Sequence, residues 1–179
     1  MAPSNGEELK NMIKLAQSIN NKPSAIRYPR DFAYEYNNNN NFQKIFIGKG
    51  KILKKGKRIA FLNLGTRLKK VLEINEMIKN HHNLNCTVVD MRFAKPIDTK
   101  LIQNLNKTHD IFITIEENAI GGFSSQVNDF LINKLNKTPK ILNFFMKDEF
   151  IDQSDIDDQY NKSGISKELI FDKISTLLK

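Results

Sequence analysis

Residues 111–122 read Ile-Phe-Ile-Thr-Ile-Glu-Glu-Asn-Ala-Ile-Gly-Gly, an apolar and β-branched run followed by two carboxylates and then two glycines. A strand covered on both faces needs such a run, and Glu116, Glu117 and Asn118 cannot sit unpaired inside that sandwich. The pattern predicts a buried strand that stops near Ile115. Gly121 and Gly122 permit positive φ or a close backbone approach, and a second amphipathic segment runs from about Ser124 to Leu135. The unit is strand, loop, helix. Loops at the carboxyl ends of strands in open α/β sheets carry ligands, which makes Glu117, Asn118, Gly121 and Gly122 a candidate site-shaping loop.

The same alternation recurs on both sides. Arg58 to Leu64 supplies a central strand, and Gly65-Thr66 introduces a helix whose one face is Leu68, Val71, Leu72, Asn75 and Ile78, ending near Asn80. Cys86 to Met91 is the next strand, broken by Lys95-Pro96. Asp98 is placed to cap a short helix through Leu105, with Leu101, Ile102 and Leu105 inward. Lys140 to Phe145 is the last strand. Asp148 to Gly164 is acidic and irregular, and Ser166 caps a terminal helix carrying Leu169, Ile170, Ile174 and Leu177. Before the central strand, Lys51 to Leu53 and a turn through Lys54, Lys55 and Gly56 read as a hairpin feeding it. Strands alternating with helices predict an α/β fold: a three-layer α/β/α arrangement around a mostly parallel sheet.

The amino-terminal part reads differently. A helix over residues 4–20, with Ser4 and Glu7 as a capping box, carries Leu9, Met12, Ile13, Ala16 and Ile19 as one apolar stripe. Ser24 to Tyr28 is a short strand closed by Pro29. One helix and one strand make no core, so residues 1–31 look like the end of a preceding domain. Residues 32–45, with asparagine at 37 through 41, form a polar linker, and 46–179 form the second domain.

Composition excludes several classes. No apolar run approaches the roughly 20 residues that span a bilayer, so no membrane partner is expected. The net charge of +8 does not come from a basic cluster. Lysine outnumbers arginine by 23 to 5 and asparagine makes up about an eighth of the chain, a bias spread over all segments that looks genomic. With no aromatic-and-basic pattern, helix-turn-helix or zinc spacing, nucleic acid is not an expected partner. Cys86 lies in an apolar run and reads as a small hydrophobe. His81-His82 lack a third ligand at suitable spacing, so no metal is assigned. Nucleophile elbow, Walker A loop and GxGxxG fingerprint are all missing.

Two constellations carry chemistry. Ala25-Ile26-Arg27-Tyr28-Pro29-Arg30 puts two guanidiniums at a strand end, and an arginine there suits a bidentate grip on phosphate or carboxylate; a pair of surface arginines is the plainer alternative. In Val89 to Asp98, Asp90 with Arg92 reads as an internal ion pair that shapes a loop. Glu116 and Glu117, adjacent in an extended strand, point apart and cannot share a proton.

Met1-Ala2-Pro3-Ser4, Ala25 to Arg30, Ile47-Gly48-Lys49-Gly50, Asp90 to Asp98, Glu116 to Gly122 and Asp148-Glu149-Phe150-Ile151 together resemble, in order, the carboxyl-terminal part of the 1-deoxy-D-xylulose 5-phosphate synthases of the transketolase superfamily. The resemblance implies an enzyme that uses thiamine diphosphate and Mg²⁺ to condense pyruvate with glyceraldehyde 3-phosphate. It further implies a homodimer whose cofactor groups lie in the rest of the polypeptide, and no catalytic residue in this part. The second arginine of the Arg-Tyr-Pro-Arg motif, which grips substrate phosphate in the family, corresponds to Arg30, with Arg27 beside it. Asp31 stands where the family continues with Gly, placing a repelling carboxylate beside that grip. Phe145-Met146-Lys147-Asp148 replaces the family's Gly-Leu-Pro-Asp. The asparagine run implies an AT-rich genome such as an apicomplexan's, hence a plastid (apicoplast) enzyme, or a cytoplasmic one if the source is bacterial. The alternatives are another transketolase-like enzyme, such as a 2-oxoacid dehydrogenase β subunit, and a lysine-driven interaction module.

Overall fold

The computed structural model describes residues 1–30 and 44–178. The linker expected over 32–45 falls almost wholly outside them, as does Asp31. Eleven elements are described: α1 Gly6–Gln17, β1 Lys51–Lys54, β2 Arg58–Leu64, α2 Leu68–His82, β3 Thr87–Asp90, α3 Thr99–Asn106, β4 His109–Glu116, α4 Phe123–Asn133, β5 Lys140–Phe144, α5 Ile156–Lys162 and α6 Lys167–Leu178. Their sheet order is β1-β3-β2-β4-β5, parallel except for β1. Among the described residues no helix is long and apolar enough to cross a membrane.

Alternation along the central strands divides the core into two layers. Ile59 and Phe61 of β2 and Ile111, Ile113 and Ile115 of β4 face α2 and α6, meeting Val71, Ile74, Ile78, Ile170 and Ile174. Ala60, Leu62 and Leu64 with Phe112 face α3 and α4, against Ile102, Phe123, Val127 and Leu131. Burying each of these large side chains contributes roughly 1.5–3 kcal/mol, so apolar runs on both faces fix β2 and β4 at the centre. Cys86 is fully buried, and desolvation pushes its thiol up to about 12. His109 is likewise a satisfied core group, bonded to Thr87 Oγ1 at 2.8 Å and to Leu105 O at 3.0 Å.

Four local expectations are corrected. β1 pairs antiparallel with β3, not with β2, so there is no hairpin. The chain crosses the start of β3 instead: Lys57 N donates to Asn85 O at 2.9 Å, and a Cβ on Gly56 would collide with the backbone of Asn85 and Cys86. The stretch 148–164 is not wholly irregular, because it contains α5. Residues 24–28 form no strand; Arg27 N donates to Met1 O and the terminal amine to Ala25 O, both at 2.9 Å, so this stretch is held by Met1 rather than by a sheet. The first helix is capped by Asn5, whose side chain accepts from Glu8 N, while Ser4 turns away to Asp90.

That turn docks α1 against the carboxyl end of β3. Met12 is buried with Ile45 and Phe93, whereas Leu9, Ala16 and Ile19 of the expected stripe are half-buried and Ile13 is exposed. The buried face is Glu8, Asn11 and Met12 because polar anchors select it. Ser4 Oγ donates to Asp90 Oδ2 at 2.6 Å, Arg92 N donates to Asp90 Oδ1 at 3.1 Å, and the Arg92 guanidinium pairs with Glu8. The expected Asp90–Arg92 ion pair is therefore corrected. Asp90 accepts the Arg92 amide, and the guanidinium reaches across to α1, since a backbone φ of 59° at Arg92 directs the side chain away from its neighbour's carboxylate.

Burial, opposed by the Ser4 hydrogen bond and reinforced by the Glu8 charge, raises Asp90 from its ordinary 3.8 to about 6. A folded-state value above the unfolded one means the folded chain binds the proton more tightly. The stabilisation from this group is fully present below pH 3.8 and is lost as pH rises through about 6. Asp90→Asn is expected to remove that part of the slope from a plot of unfolding free energy against pH. An identical slope in the variant would assign the dependence elsewhere.

Candidate functional site

The loops after the parallel strands β2, β4 and β5 meet residues 27–30 around one cleft of about 410 Å³. Gly65 and Thr66 follow β2, Glu117 follows β4 and Met146 follows β5, so the cleft lies at the carboxyl ends of three strands, where an open α/β sheet leaves room for a ligand. Arg27 and Arg30 both line it, and the fourth wall is α5, through Ile156, Gln159 and Tyr160.

The two adjacent glutamates divide between two tasks. Glu116, 1% exposed, turns inward and caps α4: the amides of Ser124 and Phe123 donate to its two oxygens at 2.7 and 2.9 Å. A carboxylate at a helix amino terminus satisfies orphan amides and meets the positive end of the helix dipole. The glycines serve this cap. A Cβ on Gly122 would strike Glu116 Oε2 and lie 2.7 Å from Asn118 Nδ2, and Gly121 has φ +96°. Asn118 ties the loop to β5's exit, its carbonyl accepting from Met146 N at 3.0 Å. Asn118, Gly121 and Gly122 do not line the cleft; they build the turn that presents Glu117 to it.

Glu117 turns the other way. Its Oε1 accepts from Thr66 Oγ1 at 2.7 Å and from the Tyr160 hydroxyl, and its carbonyl accepts from Arg27 Nη1. Tyr160 is stacked beneath the buried Arg67, whose guanidinium carbon stands 3.8 Å from the ring centroid and whose Nη2 donates to Ile165 O at 2.9 Å. Burial and the Glu117 charge push the Tyr160 hydroxyl up to about 12, so it remains a protonated donor at neutral pH. Arg30 has no hydrogen-bond or ion-pair partner among the described residues.

Sequence reasoning missed Thr66 and Tyr160. Gly-Thr after a strand was visible only as a helix start, and Tyr160 sits in a seven-residue helix that buries none of its residues and so leaves no apolar period to read. Among the described residues no group of three or more His, Cys, Asp or Glu could hold a metal ion. His81 and His82 bond to Met77 O and Ser175 Oγ and pack on Phe171.

Fold and residues 48–170 define the class: the chain belongs to the transketolase carboxyl-terminal domain family. Within it, the chain is similar to 1-deoxy-D-xylulose-5-phosphate synthases. It is 38% identical over 176 residues to that of Psychromonas ingrahamii, covering 95% of this chain and 27% of the relative, and 37% identical over 170 residues to the chloroplastic synthase 1 of Cannabis sativa, covering 93% and 24%. The chain spans about a quarter of the length of the curated relatives it matches. A split-gene transketolase, solved as an inactive β4 tetramer, superposes with a TM-score of 0.83 at 25% identity, covering 99% of this chain and 56% of that one. The 2-oxoglutarate:ferredoxin oxidoreductase of Magnetococcus marinus, with a TM-score of 0.50 at 12% identity over 75% of this chain and 20% of that one, shares the fold.

Proposed function

We propose that this chain is the carboxyl-terminal part of a synthase that condenses pyruvate with glyceraldehyde 3-phosphate to 1-deoxy-D-xylulose 5-phosphate and carbon dioxide, feeding isoprenoid precursor and thiamine biosynthesis. The observation that carries this reading is a cleft at the carboxyl strand ends lined by Arg27 and Arg30, in a chain whose relatives bear that synthase's name. A phosphate monoester is a dianion whose oxygens match the planar guanidinium fork, so Arg30 takes the substrate phosphate and Arg27 supplies a second positive charge beside it.

Residues 1–31 end the middle domain, 32–45 link it onward, and 46–179 form the carboxyl-terminal domain. On the family resemblance, thiamine diphosphate and Mg²⁺ are assigned to the remainder of the polypeptide, and no catalytic step to this chain. Its roles are packing, homodimer formation and shaping the substrate side of the site. The asparagine run and lysine bias favour an apicomplexan source and a plastid location; a bacterial source would make the enzyme cytoplasmic.

The split-gene transketolase component of the same fold is an inactive tetramer, which supports a chain without turnover of its own. Carbon dioxide release from pyruvate and glyceraldehyde 3-phosphate is expected from the full-length protein and not from this chain alone. Turnover by the isolated chain, or none by the full-length protein with its cofactors, would refute the proposal.

A further inference from the structure

We infer that Tyr160 is a positioning residue for phosphate recognition: through Glu117 it fixes Arg27 beside Arg30 in the cleft. This rests on the phosphate-binding reading above. Three residues make the connection. The Tyr160 hydroxyl and Thr66 Oγ1 both donate to Glu117 Oε1, and the main-chain carbonyl of Glu117 holds Arg27 Nη1. Arg67, stacked on the Tyr160 ring and anchored to Ile165 O, keeps the phenol in place.

The arrangement solves an electrostatic problem. An unrestrained Glu117 carboxylate in the cleft would swing toward Arg27 or Arg30, compete with a phosphate dianion for them, and repel that dianion. Two O–H donors on one oxygen hold it against the Thr66 and α5 walls instead. Glu117 then engages Arg27 by its neutral carbonyl, which orients the guanidinium without cancelling its charge. Gly65 adds a geometric condition: its φ of +90° favours glycine, and a Cβ there would lie 3.3 Å from Arg27 Nη2, so the guanidinium would have to shift by a few tenths of an ångström. Removing the phenol hydroxyl leaves the fold's core untouched and frees the carboxylate.

The test is Tyr160→Phe in the full-length enzyme, read as the ratio of kcat/KM for glyceraldehyde 3-phosphate to that for unphosphorylated glyceraldehyde. The ratio is expected to fall about tenfold, through the Michaelis constant of the phosphorylated acceptor, with kcat changed less than about twofold. Thr66→Val, which removes the other donor to the same oxygen, is expected to move the ratio in the same direction and carries the test if Tyr160→Phe unfolds. An unchanged ratio in both variants, while Arg30→Ala lowers it, would overturn the role of Tyr160 and leave the phosphate cleft standing. If Arg30→Ala also leaves it unchanged, both readings fall. Equal losses on the two acceptors would show a general structural effect and overturn the inference as well.

Discussion

Arg30→Ala in the full-length enzyme is expected to raise the Michaelis constant for glyceraldehyde 3-phosphate roughly 10- to 100-fold, with thiamine diphosphate affinity unchanged. Hydrogen bonds to charged groups contribute about 1.5–3 kcal/mol each, and a bidentate guanidinium makes two to one phosphate. Arg30 is exposed, so water and Arg27 take over part of the charge and the net loss is expected to correspond to about one such bond rather than two. Among the described residues Arg30 gives up no hydrogen bond or ion pair to take the dianion. Arg30→Lys should recover only part of the loss, since an ammonium keeps the charge and loses the fork. An unchanged Michaelis constant and rate in Arg30→Ala would remove this residue from the site.

The largest effect on stability is expected from Arg92→Ala. Arg92 and Glu8 are each 8% exposed at the side chain, and they pair the loop after β3 with α1. Deleting one partner of a buried ion pair leaves the other desolvated and uncompensated, which costs about 3–5 kcal/mol. For a chain of this size that corresponds to a melting temperature lower by roughly 10 °C. The loss should be reduced in the double variant Arg92→Ala with Glu8→Gln, which leaves no unpaired charge. A single variant melting within about 2 °C of the parent would mean that the pair is solvated in solution and that α1 is held by Met12 and Ser4 alone.

Much of the layered fold was legible in the residues because parallel strands covered on both faces leave continuous apolar runs. Ile59 to Leu62 and Ile111 to Ile115 cannot be soluble in any other arrangement, and Asp98, predicted as a cap, accepts from Leu101 N at 3.1 Å as its position implies. The opposed directions of Glu116 and Glu117 also followed from the alternation of an extended chain. α5 and the pairing of β1 did not. A seven-residue helix with no buried residue has no period to detect, and a strand of alternating half-buried and exposed residues carries no information about which neighbour it joins.

The amino-terminal helix shows the same limit from the other side. Its apolar stripe predicted the buried face, yet Glu8 and Asn11 lie inward and Ile13 outward, because a long-range ion pair to Arg92 outweighed the burial of one more methyl-bearing side chain. Sequence by itself determined the alternation of strands and helices from β2 to β5, the two-sided burial of β2 and β4, and the presence of two arginines suited to an anion, all of which depend on local spacing and side-chain chemistry. Only the tertiary structure decided that Glu116 caps a helix while Glu117 faces the cleft, that Tyr160 reaches across 43 positions to bond it, and that Arg92 turns to Glu8. Those outcomes depend on which groups the folded chain brings within hydrogen-bond reach, and no periodicity in the sequence encodes that distance.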